Sequence, residues 1–164
     1  MLGLVASASL AADRRLDIRA IEGVYKHRFQ NGTVQGDRYM SEDILEIVGV
    51  APDAAYVRAH LEFYNGHICA ISGVARVEGP DLVYRTPAHD AAGKPAECAL
   101  HVSPGKGVVS LADDFSCRDY CGARGMFGGA KFRTASRRPI RYMARLKASR
   151  EFKAAMAEYG KAQP

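Results

Sequence analysis

Residues 55–63, together with the Asn65-Gly66 pair that follows them, constrain the fold of this chain most strongly. The odd positions from 55 to 63 are Ala, Val, Ala, Leu and Phe, whereas positions 56 to 64 alternate as Tyr, Arg, His, Glu and Tyr. Such alternation predicts a half-buried β-strand. Asn-Gly favours a tight hairpin turn, because both central residues of a type I′ turn need a positive φ. The segment therefore predicts an antiparallel hairpin.

The register of this hairpin follows if Asn65 and Gly66 are the two central turn residues. Val57 is then expected to face Val74 across the hairpin. In this register Cys69 and Ile71 lie on the face opposite Val57. The second strand is then apolar on both faces, so its outer face needs a cover.

Five further strands are predicted where short apolar runs are bounded by Gly, Pro, Asn and Asp residues. They span residues 21–29, 44–50, 82–85, 98–102 and 108–111. A chain of 164 residues is the size of one domain. We therefore predict a mainly β fold over residues 13–164, a small antiparallel meander closed into a barrel or folded into a sandwich.

The C-terminal part of the chain predicts one loop and one helix. Residues 115–138 are rich in glycine and arginine and contain two cysteines, which favours a structured loop. Over residues 139–160, apolar side chains recur at helical spacing, Pro139 suits the first turn and Gly160 suits the end. This amphipathic C-terminal helix is the expected cover for the hairpin. The apolar positions of the helix are Ile140, Met143, Ala144, Phe152, Ala155, Met156 and Tyr159.

The first twelve residues are apolar and small, and a charged stretch begins abruptly at Asp13. They resemble the end of a secretory signal peptide with small-x-small cleavage sites, and the alternative is an apolar N-terminal strand or helix. No later segment approaches 18 uncharged apolar residues, so no membrane span is predicted. We therefore expect a periplasmic or secreted protein.

Four cysteines, Cys69, Cys98, Cys117 and Cys121, predict two disulfides in an exported chain. The short spacing of Cys117 and Cys121 favours a bridge between them, which leaves Cys69 with Cys98; the other two pairings stay open. Zinc is the alternative, but Cys69 and Cys98 stand alone and the five histidines lack ligand-pair spacing. Neither a metal nor another cofactor is predicted.

Charge is distributed unevenly along the chain. Residues 117–164 carry twelve Lys or Arg and three acidic residues, a local balance of +9 within a total of +5. This basic part predicts either an envelope-associated domain that binds an anionic polymer or a solvated helix beside the more acidic body. Nucleic acid is not a predicted partner, because base stacking needs exposed aromatic rings and Phe152 lies on the apolar helix stripe.

Catalytic motifs are absent from the sequence. It has no Walker loop, no Gly-x-Ser-x-Gly elbow, no His-Glu-x-x-His pair and no dinucleotide fingerprint. We therefore expect a binding protein rather than an enzyme.

Arg124 is the candidate contact residue that the sequence offers. It lies between Gly122 and Gly125 just after Cys121, where a disulfide would stiffen the loop. A guanidinium held in this way can form two hydrogen bonds with a carboxylate. The alternative is a structural role, in which Arg124 caps strand carbonyls or pairs with Asp119.

Four segments resemble parts of exported lysozyme inhibitors. Ile71-Ser72-Gly73 and the later Tyr84-Arg85-Thr86 are similar to paired strands of small periplasmic c-type lysozyme inhibitors. Residues 115–125 and the helix after Pro139 look like segments of inhibitors of the LprI type. The resemblance implies a disulfide-held β-barrel and lysozyme or another glycan hydrolase as partner. It also implies Ser72 and Tyr84 as contact residues, in addition to Arg124.

Overall fold

The computed structural model describes residues 15–162 as an eight-stranded antiparallel barrel with a C-terminal helical segment. Each strand pairs with its sequence neighbour, so the sheet is a simple meander. This confirms the predicted fold class and selects the barrel over the sandwich. The strands are β1 (Gly23–Gly32), β2 (Arg38–Ala51), β3 (Ala54–Glu62), β4 (Ile68–Glu78), β5 (Asp81–His89), β6 (Pro95–Pro104), β7 (Val108–Ala112) and β8 (Lys131–Arg133).

Strand β8 lies within residues 115–138, which the sequence predicted as a loop. Its three residues are too few to show an alternating pattern, although Phe132 between two exposed cations is buried. Beyond β8, the chain reaches β1 and nearly closes the barrel. The backbone N–H of Val24 donates to Arg138 O and the N–H of Arg138 donates to Val24 O, both at 2.9 Å.

Large apolar side chains fill the interior of the barrel. They come from alternate strand positions, and Phe127 of the β7–β8 loop joins them at one end. At the other end, Ile18 and Ile21 enter the same core, and the N–H of Leu16 donates to Gly79 O at 3.0 Å. Burying a side chain of this size contributes roughly 1.5–3 kcal/mol. The fully buried members include Tyr25, Leu45, Ile47, Leu61, Leu82, Leu100, Leu111, Phe127 and Phe132.

The β3–β4 hairpin forms as predicted, but its register is shifted by one residue. Val57 pairs with Gly73 rather than Val74. The turn contains a three-residue 3₁₀ segment, Tyr64–Gly66, with φ of 61° at Asn65 and 72° at Gly66, and the Phe63 N–H donates to His67 O at 2.7 Å. A shift of one residue moves every side chain to the other face. The prediction for Cys69 and Ile71 was therefore wrong, because both lie in the core with Val57.

The predicted single helix over residues 139–160 is two helices, α1 (Met143–Ala148) and α2 (Arg150–Lys161). Ser149 between them has an extended backbone, with φ −65° and ψ 153°. Its Oγ accepts a hydrogen bond from Phe152 N at 3.2 Å, the N-cap interaction of α2. Pro139 precedes α1 by four residues instead of starting a helix. None of the helices described between residues 15 and 162 combines the length and the hydrophobicity that a membrane span requires.

The helical segment covers the outer face of the barrel, as the sequence predicted. Tyr56 of β3 and Val74 of β4 point outward and pack in one apolar cluster with Phe152 and Ala155 of α2. The rings of Tyr56 and Phe152 lie 4.8 Å apart. Around Val74, strand β4 is therefore covered on both faces, by the core on one side and by α2 on the other.

A buried carboxylate lies beneath the start of this segment. Glu46 of β2 is 0 % exposed, and Arg58 Nε donates to its Oε2 at 2.5 Å. The hydroxyl of Tyr142 donates to the other carboxylate oxygen. Burial, followed by the hydrogen bond to Glu46, raises the pKa of Tyr142 to about 12. Glu46 thus connects β2, β3 and the residues that precede α1.

Candidate binding surface at the loop end of the barrel

Four loops lie at one end of the barrel, here called the loop end. In an up-and-down meander the β1–β2, β3–β4, β5–β6 and β7–β8 connections emerge at the same end. Three of these loops have five residues each, at 33–37, 63–67 and 90–94. The fourth, residues 113–130, is the longest, and we call it the clamped loop because two disulfides hold it.

The two disulfides join Cys69 to Cys121 and Cys98 to Cys117. Two bridges were predicted and are present, but the favoured pairing of Cys117 with Cys121 was wrong. These two cysteines flank a 3₁₀ turn, and each pairs with a different strand. The clamped loop therefore bridges β6 and β4, which are not neighbours in the sheet.

This bridging arrangement fills a gap in the barrel wall. Strands β4 and β5 are paired only from Arg76 to Glu78 on β4. Nearer the loop end, the Gly122 N–H donates to Ile68 O at 2.7 Å, and the Tyr120 hydroxyl donates to Pro87 O at 3.0 Å. The clamped loop thus contacts both strands where they separate.

Asp113 holds the two halves of the clamped loop together. Its side chain is buried, its Oδ2 accepts the Cys117 N–H at 3.3 Å and its Oδ1 accepts the Gly128 N–H at 3.1 Å. One carboxylate therefore accepts hydrogen bonds from both sides of the loop.

Replacing Asp113 with alanine should lower the free energy of unfolding by roughly 2 kcal/mol, since two backbone N–H groups lose a charged acceptor. Equilibrium denaturation in urea measures this loss. Asp114→Asn is the control, because Asp114 is the exposed neighbour and asparagine tolerates its positive φ of 45°. Equal losses for the two variants would contradict the role assigned to Asp113.

Exposed large hydrophobic side chains concentrate at the loop end. Among residues 15–162, each of the six lies in one of the four loops or within three residues of one. Clusters of exposed apolar residues on a soluble domain typically mark interaction sites. The six are Val34, Met40, Tyr64, Ile68, Phe115 and Met126.

Phe115 is the most unusual of these residues. Its side chain is 67 % exposed, and its φ of 61° lies in the left-handed region that bulky residues rarely adopt. Asp114 before it also has a positive φ, 45°, and the Ser116 N–H closes the turn onto Asp113 O at 2.7 Å. Such strain costs on the order of 1–3 kcal/mol and clusters at functional sites. The turn presents an aromatic ring to solvent.

Arg124 lies beside Phe115, where the clamped loop forms a cavity of about 310 Å³. Arg118 and Met126 also line this cavity. Within residues 15–162, no carboxylate lies within 4.0 Å of the guanidinium group of Arg118 or of Arg124. The proposed structural pairing of Arg124 with Asp119 is not observed, because the Asp119 carboxylate lies 2.7 Å from Nδ1 of His89.

Ser72 and Tyr84 lie on strands β4 and β5 of the barrel wall, whereas Arg124 lies in the clamped loop. Ser72 is half-buried on the outer face of β4 and pairs with Arg58 of β3. Tyr84 is 9 % exposed, and its ring covers Gly73, where an added Cβ would lie 1.9 Å from the ring. Burial raises the pKa of its hydroxyl. The structure therefore does not bring the three predicted contacts together on one surface.

Phe115 and Met126 were not singled out in the sequence analysis. Both are large apolar residues among Asp, Gly and Arg in a predicted loop, which is the one signal that the sequence carries for them. Hydrophobic periodicity cannot identify such residues, because they belong to no helix or strand.

No protein-family model, curated protein or solved structure matches this chain. The resemblance to lysozyme inhibitors rests on the short sequence segments described above. Within residues 15–162, no three His, Cys, Asp or Glu side chains are grouped so that they could hold a metal ion. The predicted signal-peptide remnant, residues 1–12, lies outside the described part of the chain.

Proposed function

We propose that this chain is a non-catalytic exported protein, periplasmic or secreted, that binds a protein partner through the clamped loop. Two disulfides favour an oxidising compartment. One observation carries the proposal. Phe115 is exposed in a left-handed backbone conformation and lies beside Arg124, which forms no ion pair among the described residues; both belong to a loop held by two disulfides.

Phe115 and Arg124 combine the two side-chain chemistries that dominate protein interfaces. An aromatic ring loses a large apolar area on binding, and aromatic and Arg residues are enriched among binding hot spots. The disulfides and the Asp113 carboxylate reduce the motion of the loop before binding. Less conformational entropy is then lost when the complex forms.

The favoured partner is a cell-wall glycan hydrolase such as lysozyme. Its cleft carries a pair of carboxylates on which a guanidinium can form two hydrogen bonds. Arg124 has no carboxylate of its own among the described residues and is free to supply this charge. The resemblance of the Ser72 strand to c-type lysozyme inhibitors supports the same class of partner.

Inhibition of lysozyme in a turbidity assay tests this proposal. Arg124→Ala should weaken inhibition at least tenfold, because a partner carboxylate would be left desolvated and unpaired, a loss of roughly 2–5 kcal/mol. Phe115→Ala should have an effect of similar size because the ring buries the most apolar area. Ser72→Ala removes at most a neutral hydrogen bond of roughly 0.5–1.5 kcal/mol and should do less.

Matched controls separate the clamped loop from general surface effects. Arg133→Ala removes an exposed arginine of β8, and Lys106→Ala removes an exposed lysine of the β6–β7 turn; neither residue lies in a loop of the loop end. Both should leave inhibition unchanged. If the wild-type protein at large excess leaves c-type, g-type and i-type lysozymes fully active, the hydrolase proposal is wrong.

A further inference from the structure

A second surface of the molecule is independent of the loop end. Ten Lys or Arg residues lie between residues 131 and 161, and no acidic residue occurs between Asp119 and Glu151. All ten side chains are exposed. We call this stretch the basic segment; its cations are Lys131, Arg133, Arg137, Arg138, Arg141, Arg145, Lys147, Arg150, Lys153 and Lys161.

The cations of the basic segment are not used in ion pairs within the described chain. Among residues 15–162, none of the ten has a carboxylate within 4.0 Å, whereas five of the cations before residue 117 do. Some of the basic segment's charge is therefore available to a ligand. The five paired cations are Arg15, Lys26, Arg28, Arg58 and Arg85.

Two of these arginines line a groove of about 520 Å³, where the chain after β8 passes β1. Arg137 and Arg138 lie there with Arg19, and Glu22 is the acidic residue in the lining. The side chain of Arg137 donates to Ala20 O. That of Arg138 donates from Nη1 to Ala135 O at 2.9 Å and to Arg137 O at 2.8 Å. These bonds hold both guanidinium groups in place before any ligand arrives.

Apolar and aromatic side chains in the basic segment are mostly turned inward. Phe132 and Phe152 are buried, so they offer no platform for stacking nucleobases. Within residues 15–162, the large hydrophobic residues that could enter a bilayer lie at the loop end instead. The ligand that fits is therefore long, anionic and free of bases.

We infer that the groove formed by Arg19, Arg137 and Arg138 binds a linear acidic polysaccharide, with further cations of the basic segment contacting the chain beyond it. Carboxylates spaced along a glycan match separate guanidinium groups, which can each bind one of them in bidentate fashion. This inference does not rest on the proposed function, since it uses different residues and a different class of ligand.

Polygalacturonate chains of defined length are the probe. Binding to the wild-type protein should weaken at least tenfold between 50 and 200 mM NaCl, because condensed counterions are released on binding. The Arg19→Gln/Arg138→Gln variant should bind at least fivefold more weakly at 100 mM NaCl and show a shallower salt dependence. This double variant keeps the hydrogen bond from the Arg137 side chain to Ala20 O.

The matched control is Lys94→Gln/Lys106→Gln, which removes the same net charge from two exposed lysines outside the groove. It should keep wild-type affinity, and unchanged thermal unfolding of both variants shows that the fold is intact. Equal losses of affinity in the two variants would overturn the groove as the binding site. Tighter binding to a single-stranded oligonucleotide or to anionic phospholipid vesicles than to polygalacturonate would overturn the choice of ligand.

Discussion

Replacing Cys69 and Cys121 together with alanine should lower the free energy of unfolding by about 4 kcal/mol in the chain-entropy model. The bridge joins residues 52 positions apart, so it removes many conformations from the unfolded chain. It also connects β4 to the clamped loop where β4 and β5 are not paired. Equilibrium denaturation in urea, with both proteins kept non-reduced, measures the difference.

The second disulfide provides the control for this prediction. Cys98 and Cys117 are separated by 19 positions, so their removal should cost about 3 kcal/mol, less than removal of the longer bridge. Peptide mapping of the non-reduced protein should recover Cys69 linked to Cys121. Recovery of a peptide pair that links Cys69 to Cys98 would contradict the structure directly.

Arg58→Leu should lower the free energy of unfolding by about 3 kcal/mol, because the fully buried Glu46 would lose its charged partner. Breaking a buried ion pair from one side typically costs 3–5 kcal/mol. The loss expected for Arg58→Leu is at the lower end of this range, since 40 % of the Arg58 side chain is exposed. Urea denaturation at pH 7 measures this loss.

A combined variant tests whether the loss of stability in Arg58→Leu comes from the unpaired charge of Glu46. Glu46→Leu/Arg58→Leu/Tyr142→Phe replaces the carboxylate and both of its donors by apolar side chains. Such replacement of a whole buried network is often close to neutral. The triple variant should therefore be more stable than Arg58→Leu alone, and a further loss of stability would show that packing, rather than the unpaired charge, explains the first result.

The strands were predictable because their signals are local. The alternation over residues 55–63 corresponds to β3, Ala54–Glu62, and the turn residues between the predicted strands mark the connections of the meander. The apolar stripe after Pro139 predicted the cover on β3 and β4, and residues of this stripe pack there. Its interruption at Ser149 was missed, because Ser is tolerated within helices as well as at their N-caps.

The candidate binding surface was only partly predictable. Arg124 could be chosen from its neighbours in sequence, since Cys121 and two glycines flank it. The exposure of Phe115 depends on a left-handed backbone and on a turn closed through Asp113, and no pattern in the sequence encodes either.

The sequence by itself determined seven of the eight strands, the presence of two disulfides among the four cysteines, and the packing of a basic helical segment on the barrel. The tertiary structure alone decided the hairpin register, the cysteine pairing and the separation of Arg124 from Ser72 and Tyr84. Strand formation follows from side-chain periodicity over a few residues. Pairing and register depend on which distant segments pack together, because a shift of one residue exchanges the buried and exposed faces.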